Sequence, residues 1–373
     1  MNIAFLYIAE PYQCYHGAAI ALELAGRPGV RIVSYYNDPE TLPQLERIRG
    51  AFQAPPMTYR RLRRSLPTRL MQSIRVLGMF KSMVMWDNRA ELNGYDAIFT
   101  VEDTVASARL LGIRHPKLIY SPHGFGDRAR GFTNHTRSFD FVLVAGTKIA
   151  ERMLRAGLIR PGQYDLIGPV KLETSDRLRV AAEPFFAEPR PVVLYNAHKA
   201  PGLTSWPRFI EPMLAQFAAQ EEFNLIVAPH TKLFRRRSSR VRRTWEERST
   251  AHILIDTGSD RSVDMSYTNG ADIYVGDVSS QVYEFLAIPR PCVFLNASGV
   301  AWRDNIDFAH WNLGDVIDDP ANLMAAIRAA PARHHLYRAR QVEMTQASLG
   351  DRTPGSARRA ADAVMRFLGE KPG

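Results

Sequence analysis

Long apolar runs are missing from this sequence. No stretch of about 18 or more uncharged apolar residues occurs, so no helix is expected to span a bilayer. Cysteine is scarce. Cys14 and Cys292 lie far apart among apolar neighbours and form neither a disulfide framework nor a metal-ligand spacing. Both are expected to be small buried thiols in a reducing compartment. No basic segment precedes the apolar run Asn2–Ile8, which therefore reads as a first β-strand and not as a signal peptide. These absences point to a cytoplasmic protein, with any membrane contact peripheral, at the inner face of the cell membrane. No internal repeat and no low-complexity tract is present. No RRM, KH or helix-turn-helix pattern appears, so nucleic acid is not an expected partner. No metal motif appears either, and neither a metal nor another cofactor is expected.

The chain has 373 residues, 46% of them hydrophobic and 23% charged, an ordinary balance for a globular protein with room for two cores. Lysine and arginine number 48 against 38 acidic residues, a formal net charge of +10. That excess favours anionic partners without choosing among nucleotides, phosphates, acidic membranes and nucleic acid.

Short apolar runs alternate with longer helix-like segments. Strands are expected at Ile3–Ile8, Val30–Tyr35, Ala97–Val101, Leu118–Ser121 and Phe141–Ala145. A second set follows at Val192–Tyr195, Leu225–Ala228, Ile253–Ile255, Ile273–Val275 and Cys292–Leu295. Continuous apolar strands between helices indicate parallel sheets covered on both faces. The expected fold is α/β, with two doubly wound Rossmann-like domains facing across a cleft. The Pro-rich break from Glu183 to Pro191 interrupts helix and strand alike. It places a first domain at 1–185 and a second at 186–345. Residues 346–373 would add a terminal helix, centred on Pro354–Leu368, that crosses back to the first domain.

The most informative stretch runs from Ala271 to Leu295 and parses as strand, turn, helix, loop, strand. Ser279 and Ser280 fall at the expected helix start, where free backbone N–H groups and the helix dipole favour a diphosphate. Glu284 lies one turn beyond Ser280 on the same face, placed to accept hydrogen bonds from ribose hydroxyls. An ordinary serine cap with a helical glutamate is the competing reading. His123 follows a strand and precedes Gly124-Phe125-Gly126, where glycine lets backbone approach a ligand. His230 ends another strand and is followed by Thr231 and Lys232. His16 lies in the loop after the first strand and rivals His123 as a base. Lys199, in the loop Asn196–Gly202, is placed to approach phosphate. Asp256-Thr257-Gly258 is a candidate nucleobase loop.

In order along the chain, Pro122-His123-Gly124-Phe125-Gly126, Ala228-Pro229-His230, Asp277-Val278-Ser279-Ser280 and Gly350-Asp351-Arg352 resemble the bacterial CDP-glycerol glycerophosphotransferase family. That family builds teichoic-acid-type polymers on the GT-B fold. The resemblance covers roughly residues 95–368, and each piece is short. It implies a CDP-linked donor from which a glycerol-phosphate-like group passes to a hydroxyl acceptor, lipid-linked in some cases, during cell-envelope synthesis. It makes His123 the catalytic base, His230 a contact to the donor phosphates, and Asp277, Ser279 and Ser280 part of the donor site with Gly124. The loop carrying Lys199 departs from the family's composition and leaves the donor open. A GT-B glycosyltransferase using a UDP- or CMP-sugar is the alternative, and a nucleotide-sugar 2-epimerase a further one.

Two basic stretches remain. From Arg60 to Trp86, Leu62, Leu66, Leu70, Ile74 (or Ser73), Leu77, Phe80 and Val84 recur at helical spacing beside Arg60, Arg61, Arg63, Arg64, Arg69, Arg75 and Lys81. Such a helix either lies on an anionic bilayer or buries its apolar face in the core with its arginines solvated. Arg235–Arg243 holds six arginines in nine residues, a solvated face or a surface for a polyanion.

Overall fold

The computed structural model describes residues 1–74, 77–179 and 184–369. Among the described residues, thirteen parallel strands form two sheets. The first holds β1 (Asn2–Tyr7), β2 (Arg31–Tyr36), β3 (Thr58–Arg61), β4 (Ala97–Thr100), β5 (Lys117–Tyr120), β6 (Phe141–Val144) and β7 (Tyr164–Leu166), in the order β3-β2-β1-β4-β5-β6-β7. The second holds β8 (Val192–Asn196), β9 (Asn224–Val227), β10 (Ile253–Ile255), β11 (Ile273–Gly276), β12 (Cys292–Leu295) and β13 (Asp315–Ile317), in the order β10-β9-β8-β11-β12-β13. Each sheet starts at an interior strand, grows to one edge, and then returns to the other side of its starting strand. The reversal lies between β1 and β4 in one sheet and between β8 and β11 in the other. Such reversals leave a crevice beyond the strand C-termini, where ligands of doubly wound proteins bind.

Two compact units contain these sheets. One comprises Met1–His123, Arg130–Leu178 and Ala347–Gly373, the other Gly124–Ala129 and Arg179–Gln346, as far as these stretches are described. Each has its own buried cluster, with Leu6, Ile98 and Val142 in the first and Val193, Leu225 and Val293 in the second. All residues of β4, β6, β9, β11 and β12 are buried, the pattern that unbroken apolar runs demand when helices cover both faces. Helix Trp206–Ala218 lays Phe209, Ile210, Met213, Leu214 and Phe217 on the second sheet, a stripe at helical spacing.

Helix Ser356–Gly369 belongs to the first unit and packs on helix Ala18–Ala25. Its first turn is held by Glu173, whose Oε2 accepts from Ser356 Oγ at 2.5 Å and from the Ala357 N–H at 2.9 Å. Its buried face is mostly alanine, which lets the helices approach closely.

The expected basic helix from Arg60 to Trp86 is three elements instead. Arg60 and Arg61 end β3, and helices Leu66–Ile74 and Leu77–Asp87 follow. Arg60 is drawn into the sheet edge by Glu91, 2.6 Å from its Nη1. Arg75 of that stretch, and Glu183 of the Pro-rich break, lie outside the described residues.

Candidate functional site

In the first unit the loops after β1, β4 and β5 bring Gln13, Glu102 and His123 together at the sheet's reversal point. His123 Nδ1 lies 2.5 Å from the Val101 carbonyl, so it donates its proton there and leaves a lone pair on Nε2. The Gln13 amide Nε2 sits 3.1 Å from that Nε2 and 2.9 Å from Glu102 Oε2. One amide group thus donates to both the imidazole and the carboxylate. The acceptor Glu102 sets which way the amide faces. Among the described residues the buried Gln13 carbonyl oxygen has no hydrogen-bond partner.

Burial alone would raise the Glu102 pKa. The Lys81 ammonium, 2.9 Å from Oε1, together with His123 and Gln13 outweighs it, and the carboxyl titrates below its ordinary value. Glu102 is therefore an anion near neutral pH, tied to His123 through a single amide.

His16 joins the same neighbourhood, its ring centroid 6.2 Å from that of His123 and edge-on to it. It is buried, and burial, helped by Lys171 and His123, holds its pKa well below the usual histidine value. It stays neutral at neutral pH and binds a proton weakly.

In the second unit, the loops after β8, β9 and β11 carry the other expected residues. Asp277 is fully buried. Its Oδ1 accepts from the His198 N–H at 2.7 Å, and its Oδ2 from the Ser205 N–H at 2.6 Å and Ser205 Oγ at 2.8 Å. Burial pushes its carboxyl up to about 6, against the opposing pull of these hydrogen bonds. Asp277 thus fastens the loop after β8 to the loop after β11 across the reversal point. Its action on any ligand passes through those loops.

The helix after Ser279 and Ser280 is short, Gln281–Phe285, with Ser280 as its N-cap residue. Its dipole is correspondingly small. Ser279 Oγ accepts from the Gln281 N–H at 3.2 Å within its own turn. Glu284 is buried on this helix. Ser280 instead abuts the inserted loop. Gly124, at φ 120°, is in a conformation that other residues avoid, and a Cβ there would lie 3.4 Å from Ser280 Oγ. A Cβ on Gly126 would lie 3.1 Å from Ser280 Cβ.

The same loop supplies residues the sequence reading missed. Arg128 Nη1 lies 2.9 Å from His198 Nε2, while His198 Nδ1 accepts from the Ala200 N–H at 3.0 Å. A neutral ring accepting at Nδ1 carries its proton on Nε2 and directs it at the guanidinium. Both groups are then placed to donate to an anion. His230 stands next to this pair, ring centroid 6.0 Å from His198, its Nδ1 accepting from the Lys232 N–H. Lys199 follows His198 in the chain and is half-buried. Beneath them, Asp127 Oδ2 accepts from Tyr283 Oη at 2.7 Å and faces His310 Nδ1 at 3.1 Å.

The comparisons with known proteins bear on the architecture. No family model matches the chain, and no curated protein matches it. Solved structures do. UDP-GlcNAc 2-epimerase from Neisseria meningitidis, bound to UDP-GlcNAc, aligns at TM-score 0.63 and 13% identity over 99% of both chains. The wall teichoic acid polymerase TagF, soaked with CDPG, aligns at TM-score 0.64 and 10% identity over 99% of this chain and 88% of that one. The calicheamicin glycosyltransferase CalG4 aligns at TM-score 0.63 and 15% identity over 100% of this chain and 99% of that one. The fold is of the GT-B type. Identities this low carry the fold and nothing finer.

Within this GT-B frame, Asp256 occupies a different setting from the one its loop suggested. It is buried, and its carboxylate is taken up by the Gly258 and Ser259 N–H groups at 2.7 Å each and by Tyr267 Oη at 2.7 Å. It shapes the turn after β10. Gln13 and Glu102 had one sequence signal, their position on the loops after the strands that flank the reversal. Lys81, reaching in from a helix, had none.

Proposed function

We propose that this chain is a transferase that takes a nucleotide-diphosphate donor in its second unit and uses His123 of its first unit as the base. The observation that carries the reading is the set His198, Arg128, Lys199 and His230, carried with Ser280 on the loops beyond the C-terminal ends of three adjacent strands and on the loop 124–129. The Arg128 guanidinium, 2.9 Å from His198 Nε2, fits an anion. A diphosphate with its developing charge suits these groups, because fixed donors need no reorganisation during the reaction.

In the reaction favoured here the donor is CDP-linked and the group moved is a glycerol phosphate or related polyol phosphate. The acceptor hydroxyl gives its proton to His123 Nε2 as its oxygen bonds to phosphorus. The bridging P–O bond breaks and the nucleoside monophosphate leaves. Gln13 keeps the Nε2 lone pair engaged until the acceptor displaces it, and Glu102 stabilises the imidazolium that forms. His123 suits the role better than His16, whose depressed pKa weakens it as a base. A glycosyl transfer from a UDP- or CMP-sugar would use the same groups, with attack at the anomeric carbon and a nucleotide as leaving group. A 2-epimerase would act on the donor with no acceptor. The likeness to an epimerase, as full-length as that to the polymerase, keeps this second reading in play.

A thermal-shift panel of CDP, UDP, GDP and their glycerol or sugar esters tests the proposal, since a ligand bound only to the native state raises the melting temperature. CDP-glycerol should give the largest shift. His123→Ala should keep that shift and lose about 10²–10⁴-fold of the transfer rate. A shift with a UDP-sugar and none with CDP-glycerol would overturn the donor assignment. Product formed from donor alone would replace transfer with epimerisation.

A further inference from the structure

The segment 47–86 contains no aspartate or glutamate and nine basic residues. Within it, the helix pair Leu66–Ile74 and Leu77–Asp87 leaves large apolar side chains in solvent. In the first helix Thr68 is wholly buried and donates to Asp87 Oδ2 at 2.6 Å. Leu66 and Leu70, one turn apart, are 72% and 60% exposed. The second helix buries Phe80, Val84 and Met85 and sends Lys81 inward to Glu102, yet leaves Met79 57% and Trp86 48% exposed. Four large apolar side chains therefore meet solvent on an element that already buries Phe80, Val84 and Met85. Isolated exposed leucines need no explanation, but four such side chains on one helix pair do.

The charges around these side chains indicate what covers them. Arg63 is largely exposed and Arg69 is exposed. The Arg89 guanidinium stacks 3.9 Å over the Trp86 ring. Exposed leucines accompanied by a tryptophan and arginines suit a bilayer interface, where apolar groups enter the acyl boundary and cations meet anionic headgroups. Nucleic acid would satisfy the arginines and leave Leu66, Leu70 and Met79 in water.

We propose that this helix pair docks the protein on an anionic lipid surface, inserting Leu66, Leu70, Met79 and Trp86 beneath headgroups held by Arg63 and Arg69. The inference is independent of the donor's identity. It gives the surface helix a link to the proposed chemistry, since the helix that bears Trp86 also delivers Lys81 to Glu102.

Flotation of the full chain with phosphatidylcholine vesicles, and with vesicles that also contain phosphatidylglycerol, tests it. Binding should need the anionic lipid and weaken at high salt. The double variant Leu66→Glu/Leu70→Glu, at positions too exposed to disturb the fold, should reduce vesicle binding by about tenfold or more. Arg63→Glu/Arg69→Glu should do the same, while both variants keep the wild-type melting temperature. Vesicle binding unchanged by both pairs would overturn the proposal. So would binding to a labelled DNA duplex that only the arginine pair affects, with no vesicle binding at all.

Discussion

Asp277 stands out in sequence by its place after a strand, while its surroundings stay hidden there. Its carboxylate accepts three hydrogen bonds from Ser205 and His198, which favour the anion, yet burial dominates and its pKa rises to about 6. Unfolded, the same carboxyl titrates near ~3.9. The folded state therefore binds the proton more tightly. The stability this provides is complete below ~4 and is lost as the pH rises through about 6. Asp277→Asn removes the titration. In urea unfolding at a series of pH values, the stability of the wild type relative to this variant should fall between ~4 and ~6 and then level off. A difference that grows with pH would mean that the carboxylate is stabilised as an anion instead. At neutral pH the variant should also be about 1–3 kcal/mol less stable, because an amide cannot accept from every donor that now converges there.

At the scale of elements, the interior of both sheets and the edge strand β10 were legible, and the other three margins were not. Every strand expected from an apolar run is present, within one or two residues. The strands without such a signal are β3, β7 and β13, and each is a sheet edge. Their residues, Thr58-Tyr59-Arg60-Arg61, Tyr164-Asp165-Leu166 and Asp315-Val316-Ile317, are only partly buried, so selection for burial on two faces does not act on them. The candidate site divides in the same way. Histidines and serines at strand ends stand out in sequence. Gln13, Glu102 and Arg128 acquire meaning only when separate loops meet. Gly126 is the contact most open to test. A Cβ there would press on Ser280 at 3.1 Å, whereas Gly50, in helix Thr41–Ala51, has nothing within 4 Å of a built Cβ. Gly126→Ala should cost about 1–3 kcal/mol and displace Ser280. Gly50→Ala should gain about 0.4–1 kcal/mol by stiffening the unfolded chain and favouring helix. Equal melting temperatures for the two variants would mean that the inserted loop does not bear on Ser280.

Under the proposed function, the two cores would carry different parts of the work. Each unit has its own buried cluster and its own sheet reversal, and the groups gathered at the two reversals differ in kind. The first holds an anion, an amide and two imidazoles, fit to move a proton. The second holds a guanidinium, two imidazoles and a lysine, fit to hold negative charge. The net charge of +10 favours the approach of a nucleotide to any part of the molecule, so charge alone cannot decide where one settles. Local protection can. Amide hydrogen exchange reports the opening of individual segments, and a bound ligand slows it where donors are engaged. A saturating donor nucleotide should protect segments 124–128, 197–200 and 278–281 and leave 13–16 and 101–102 unchanged until an acceptor is added. Protection by nucleotide alone at 13–16 and 101–102, with none at 278–281, would move the donor to the first unit. Arg128 and Lys199 of the second unit would then need a different anion.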